Sequence, residues 1–185
     1  ASLITDKDLH LSYLSLQATV SILRACPAAG AAVKSHILEP ALALSTSSLL
    51  QDPALQSLIA LFKEIVVSNA VDFPDLLAML REKLTDQVSK HGIYSLAKCV
   101  AVIVASTSAA NSEKVLDEIF SVLDGCETPT VSSNLGQVQL SLLITGDWGR
   151  MVDLSTQSDV TNRMKTIYLG YFESSSEDLK NAAAY

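Results

Sequence analysis

The chain has 185 residues, 49% of them hydrophobic and 18% charged, with a formal net charge of −7. That length can bury one sizeable core, and the 7 glycines and 5 prolines are too few for a turn-rich β fold, so helix is favoured. The acid excess disfavours nucleic-acid binding, which needs a basic face; Cys26, Cys99 and Cys126 are too scattered for a disulfide framework and point to a reducing compartment.

The first residues carry Asp6, Lys7 and Asp8 where a signal peptide would have a basic start and an apolar run. No apolar stretch approaches the ~20 residues of a membrane span. Asp6 is expected to cap a helix running to about Cys26, with Leu9, Tyr13, Leu16, Val20 and Leu23 as its stripe, Leu14, Ala18 and Ile22 alongside, and Pro27 just past its end. A second helix is predicted over 29–44, with Val33, Ile37, Leu38 and Ala41 inward, and Pro40 should kink or interrupt it. After a polar link, Asp52-Pro53 reads as an acidic cap followed by proline at the first helical position. Leu55, Leu58, Ile59, Phe62, Ile65 and Val66 then repeat at helical spacing. Pro74 opens another helix, whose stripe is Leu76, Leu77, Leu80, Leu84 and Val88.

The stretch 92–126 organises the rest. Leu96, Cys99, Val100, Ile103 and Val104 recur at helical spacing, and 100–105 is apolar all round, which predicts a helix buried on most of its circumference. A Ser- and Ala-rich corner follows. Ser112 is expected to cap the next helix, with Glu113 in its first turn, a stripe of Val115, Leu116, Ile119, Phe120, Val122 and Leu123, and Gly125 as its stop.

A loop over 128–133 leads into a helix carrying Leu135, Val138, Leu140, Leu142, Leu143 and Ile144; alternation at Val138-Gln139-Leu140 formally allows a strand. Gly146-Asp147-Trp148-Gly149 is expected to end it as an inter-helix turn, with Trp148 either packed over the end of a helix pair or serving as an aromatic contact residue. The next helix starts at Ser155 or Asp159 and aligns Val160, Met164, Ile167, Tyr168 and Tyr171. A capping pattern at 174–178 restarts the chain into a final helix, and the sequence ends inside it, as expected of a fragment of something longer.

Helix starts of one kind fall near Asp6, Asp52, Gly92, Ser132 and Ser176. The interval of about 40 to 45 residues is that of HEAT and armadillo helix pairs. The expected fold class is therefore all-α: an α-solenoid of about four HEAT-type helix pairs, roughly 6–46, 52–90, 92–124 and 132–172, with a truncated helix at 176–185. Site chemistry is not indicated. His10, His36 and His91 have no partner at a metal-ligand spacing, there is no nucleophile elbow, and no loop has the glycines of a phosphate or dinucleotide cradle. No catalytic, cofactor or metal residue is therefore assigned. Cys99 is expected to be buried and inert, and Tyr13, Tyr94 and Tyr168 to be core residues with wetted hydroxyls.

Several runs, in order along the chain, resemble the C-terminal half of the cullin-associated, neddylation-dissociated family: DKDLHLS at 6–12, LLQ at 49–51 with the helix after it, YSLAKCVA at 94–101, VDLS at 152–155 and SSSEDLKNAAAY at 174–185. The block at 94–101 is the most specific. The loops at 69–73 and 88–93 look shorter than the family's, and 136–148 diverges. The resemblance implies a non-catalytic HEAT-repeat clamp segment that binds an unneddylated cullin with its RING subunit, hinders neddylation and promotes substrate-receptor exchange. It implies cytoplasmic and nuclear location, no nucleic-acid or membrane partner, and contact with the flanking part of the same array. The family's adaptor-displacing β-hairpin has no counterpart here. By the family's pattern the second helix of each pair lines the concave side, which makes Lys7, His10, Gln17, Gln56, Lys63, Lys98 and Gln139 the candidate contacts, beside Trp148. The alternative is another HEAT carrier such as a nuclear transport receptor. An all-helical enzyme would need a convergent polar pocket that the sequence does not announce.

Overall fold

The computed structural model describes residues 3–124, 135–155 and 157–185, and among them there is helix but no strand. The helices are α1 (Leu9–Ala25), α2 (Gly30–His36), α3 (Leu38–Leu44), α4 (Ala54–Val67), α5 (Phe73–Glu82), α6 (Lys90–Ser106), α7 (Ala109–Asp124), α8 (Leu135–Met151), α9 (Ser158–Phe172) and α10 (Glu177–Ala184). This is the all-α, helix-against-helix architecture of the solenoid class. The chain divides into two compact units, Ala1–Thr107 and Ser108–Tyr185.

In the first unit α1 packs on α4, α4 on α6, and α5 on α6. The seams are aliphatic: Leu16 and Leu23 of α1, Leu58, Phe62 and Ile65 of α4, and Leu96 and Ile103 of α6 are all fully buried. The all-round apolar run of α6 is buried as its pattern predicts, Cys99 through Val104 having no more than 6% exposure. Pro40 acts as expected. The helical run over 30–44 breaks between α2 and α3, at the level of His36, whose carbonyl a proline four residues on can neither bond nor clear. Asn69 takes φ 52° and turns the chain out of α4, its neighbour Ala70 donating its N–H to Ile65 O at 3.0 Å.

Several helix starts differ from the sequence reading. Asp8, not Asp6, caps α1 by accepting from Leu11 N at 2.9 Å. Asp52 caps nothing: α4 begins at Ala54, and the Asp52 carboxylate takes the Gln56 side-chain amide at 3.2 Å. The helix after Pro74 ends at Glu82, short of Leu84 and Val88, and the chain turns there through Lys83 N and Leu84 N bonded to Leu80 O and Arg81 O. That early stop frees Ser89 to cap α6 by accepting from Gly92 N at 3.1 Å.

In the second unit α8 packs on α7 and α10, and α9 on α10. α7 begins at Ala109, where Ser108 Oγ accepts from Asn111 N, so Ser112 is inside the helix and Glu113 is in its second turn. Gly125, Cys126 and the loop 128–133 lie outside the described residues. The formally allowed strand at Val138-Gln139-Leu140 is helix.

The larger correction concerns Gly146-Asp147-Trp148-Gly149, which continues α8 to Met151 and makes no turn. The glycines are there for close packing. A Cβ on Gly146 would stand 3.0 Å from the Tyr168 hydroxyl, and one on Gly149 3.2 Å from the end of Met164, both on α9. Two missing side chains let the ends of Tyr168 and Met164 of α9 lie against the α8 backbone.

Candidate protein-interaction surfaces

The polar candidates are distributed over helices whose opposite faces build the core. On α1, His10 and Gln17 are seven residues apart and share one exposed stripe, with Lys7 exposed just ahead of the helix. On α4, Gln56 and Lys63 have the same spacing and are also exposed. Lys98 is half-buried on α6. Since α1, α4 and α6 pack in sequence, these side chains belong to three neighbouring ridges of one unit. Arg24 of α1 ties the first two together through its Nε, 2.8 Å from Glu64 Oε2 of α4. That pair is largely solvated on the arginine side and sets register more than stability.

Gln139 and Trp148 do not belong with them. Both are buried in α8, at 5% and 3% exposure, so neither presents a side chain to solvent. The physical reason is the depth of α8: Val138 through Thr145 are buried without interruption, and polar members of that run must be satisfied inside. Thr145 Oγ1 lies 3.0 Å from both Ser141 O and Leu142 O and 2.9 Å from the Tyr168 hydroxyl, which itself donates to Leu142 O at 2.6 Å. Tyr171 donates to Leu123 O at 3.0 Å, pinning α9 to the end of α7. Asp147, also buried, accepts from Arg150 Nη1 at 3.2 Å, and Arg150 in turn reaches Tyr185 O and stands over the Tyr185 ring, 5.1 Å from its centroid. This is a staple between α8 and Tyr185, just past the end of α10.

Burial pushes the Cys99 thiol up, which makes it a small apolar core residue. Burial also raises the Tyr168 hydroxyl, against a smaller opposing pull from Thr145. The exposed Asp153 carboxyl is lowered because the Ser155 side chain and N–H both donate to it. Among the described residues no three His, Cys, Asp or Glu side chains are grouped to hold a metal, and no helix is long and apolar enough to cross a membrane.

The candidates on α1 and α4, which came from the family resemblance, fall on exposed positions, and their seven-residue spacing keeps each pair on one face. Sequence reasoning missed the burial of Gln139, since a lone polar residue in an apolar run looks the same whether it is wet or packed. It also missed an open pocket of about 620 Å³ between α7 and the start of α9, whose lining combines residues more than forty positions apart.

No family model matches the chain. Over its whole length it is similar to curated proteins with one kind of name. It is 31% identical over 193 residues to "Cullin-associated NEDD8-dissociated protein 1" of Arabidopsis thaliana and 30% identical over 192 residues to the protein of the same name from Dictyostelium discoideum. It is 25% identical over 196 residues to "Cullin-associated NEDD8-dissociated protein 2" of Rattus norvegicus. In each case 100% of this chain is aligned, against 14–15% of the relative, so the chain spans about one-seventh of the length of the proteins it matches.

Proposed function

From its end-to-end homology to one segment of the cullin-associated NEDD8-dissociated proteins, we propose that this chain works as a non-catalytic, protein-binding segment of a helical-repeat scaffold that associates with a cullin. The observation that carries the reading is the similarity itself, unbroken over the chain in relatives from a plant, an amoeba and a mammal. The architecture supports it: helices packed in series expend their apolar faces on one another and leave polar ridges for a partner. The contact surface in this reading is the exposed stripe of α1 and α4 (Lys7, His10, Gln17, Gln56 and Lys63) together with Lys98 of α6. Gln139 and Trp148 are left to packing.

The finer role is part of the same proposal and goes beyond the relatives' names. A scaffold that occupies unneddylated cullin with its RING subunit would hinder NEDD8 attachment and promote exchange of substrate receptors, in the cytoplasm and nucleus. The test is capture of a purified cullin–RING complex by the full-length parent protein. Gln17→Glu, Lys63→Glu and Lys98→Glu together should weaken capture tenfold or more and restore neddylation in a reconstituted assay, at unchanged helical circular dichroism. Undiminished capture by that variant would remove the ridges from the interface. Lack of any cullin binding by the wild-type parent would remove the reading altogether.

A further inference from the structure

We propose that the outer side of α1 is a joint on which a further amphipathic helix of the same repeat array packs, a helix supplied by the full-length parent protein outside these 185 residues. The proposal rests on the scaffold reading above. α4 stands between α1 and α6, and of its fourteen residues only Gln56, Lys63 and Val67 are exposed, a single ridge. α1 packs against α4 and carries a ridge of the same kind, His10, Gln17 and Arg24. It then shows what α4 does not. Leu11, Leu14, Ala18, Ile22 and Ala25 are exposed as well, Leu14 at 47% and Ile22 at 54%. Their steps of three and four put them on one face, opposite the core stripe of Leu16, Val20 and Leu23 and about 100° around the helix from the polar ridge.

A helix lying on a core from one side needs one apolar stripe, and α1 has two. The second runs about 21 Å along the axis. Its helical repeat fits the ridges of another helix and not the alternation of an extended strand. Beside it lies an open groove of about 580 Å³, walled by Leu14 and Ala18 of α1 and by Leu3 and Ile37, with no acid, lysine or arginine in its lining. Ala18, at the middle of the stripe, lets a helix come close, and the groove takes the larger apolar side chains of the incoming face. The end of a repeat array carries a polar outer face. The row of α6, α4 and α1 shows leucine and isoleucine at that place instead, so its seam continues the packing already seen between α1 and α4. The region aligned with this chain is 15% of the plant and amoeba relatives, so a parent protein of that length has helices with which to extend the row.

The experiment compares hydroxyl-radical labelling of the 185-residue chain and of the full-length parent protein, both without a cullin, by mass spectrometry, with exposed Leu49 as the reference. Leu11, Leu14 and Ile22 should label in the short chain and at least tenfold less in the parent. Leu14→Gln with Ile22→Gln should leave the melting temperature of the short chain within about 2 °C, because both side chains are solvated there, and should restore labelling of Leu11 in the parent at least fivefold. Equal labelling of the stripe in the short chain and the parent overturns the proposal, whether the stripe stays open in the parent or a second copy covers it in the short chain. Protection that appears in the parent only after a cullin–RING complex is added overturns it too, since the seam would then be a partner surface. Labelling is read with no cullin present, so a failure of cullin capture and a failure of this joint are separate results.

Discussion

At Gly92 a single hydrogen in place of a methyl group decides whether two segments can meet. A Cβ there would stand 2.4 Å from the backbone oxygen of Thr46, which has no flexible end to swing away. Alanine elsewhere in a helix gains up to about 1 kcal/mol over glycine; here that gain is outweighed, and Gly92→Ala should destabilise the chain by about 2 kcal/mol, read from urea denaturation. An increase in stability would show that α6 does not seat against Thr46 as described. Cys99 and Cys26 offer a paired check on burial. Cys26 is exposed and Cys99 is not, so iodoacetamide should alkylate Cys26 in the native chain and Cys99 only after unfolding, as peptide mapping by mass spectrometry would reveal. Both Cys99 and Tyr168 are held by burial above their ordinary values of 9.0 and 10.0. The protonated forms are favoured by folding, so this contribution is complete below pH 9 and is lost as pH rises past 9 and then 10. Tyr168→Phe should flatten the upper part of that alkaline decline, and should cost about 1 kcal/mol at neutral pH for the lost bond to Leu142 O.

Among the elements, α6 has the most to lose. It touches α4 on one side and α5 on another, and its apolar run is buried around the circumference. Leu96→Ala or Ile103→Ala should each cost about 2 to 5 kcal/mol, because neighbours on several sides cannot all collapse into the gap. The same change at exposed Leu14 of α1 should stay within about 0.5 kcal/mol. Thermal melts of the three variants side by side would separate them, and similar losses at all three would contradict the burial pattern. Caps follow a different logic. Asp6 and Asp8 are both plausible starts for α1, and the choice fell to Asp8 because Ser12 binds the lead segment: its hydroxyl donates to Thr5 O at 2.6 Å and accepts from Thr5 N at 2.8 Å. That pairing holds residues 3–5 back along the first turn, so helix can begin only after Asp8.

At the scale of the molecule, charge and sequence similarity bear on partners. A chain of net charge −7 should not retard a DNA duplex in a gel at physiological salt, since its scattered cations are partly taken up, Arg24 by Glu64 and Lys83 by Glu39. A shifted band that disappears with rising salt would reopen nucleic acid as a partner. The cullin reading belongs to this scale as well, because a partner surface assembled from ridges on α1, α4 and α6 exists only once those helices stand side by side.

The amino-acid sequence by itself determined the helical class, the stripes that face the core, the break ahead of Pro40 and the all-round burial of α6. Each is a local consequence of the 3.6-residue period or of proline's missing N–H. Tertiary structure decided what depends on a neighbour distant in the chain. Whether Gly146 and Gly149 make a turn or leave room for side chains against an unbroken helix depended on Tyr168 and Met164, and whether Gln139 is wet depended on how deeply α8 is packed. Whether Glu113 and Asp117 are ordinary solvated acids or the rim of a pocket depended on α9 arriving beside α7. Glycine, glutamine and glutamate are compatible with either outcome as residues, and only the helix brought against them selects one.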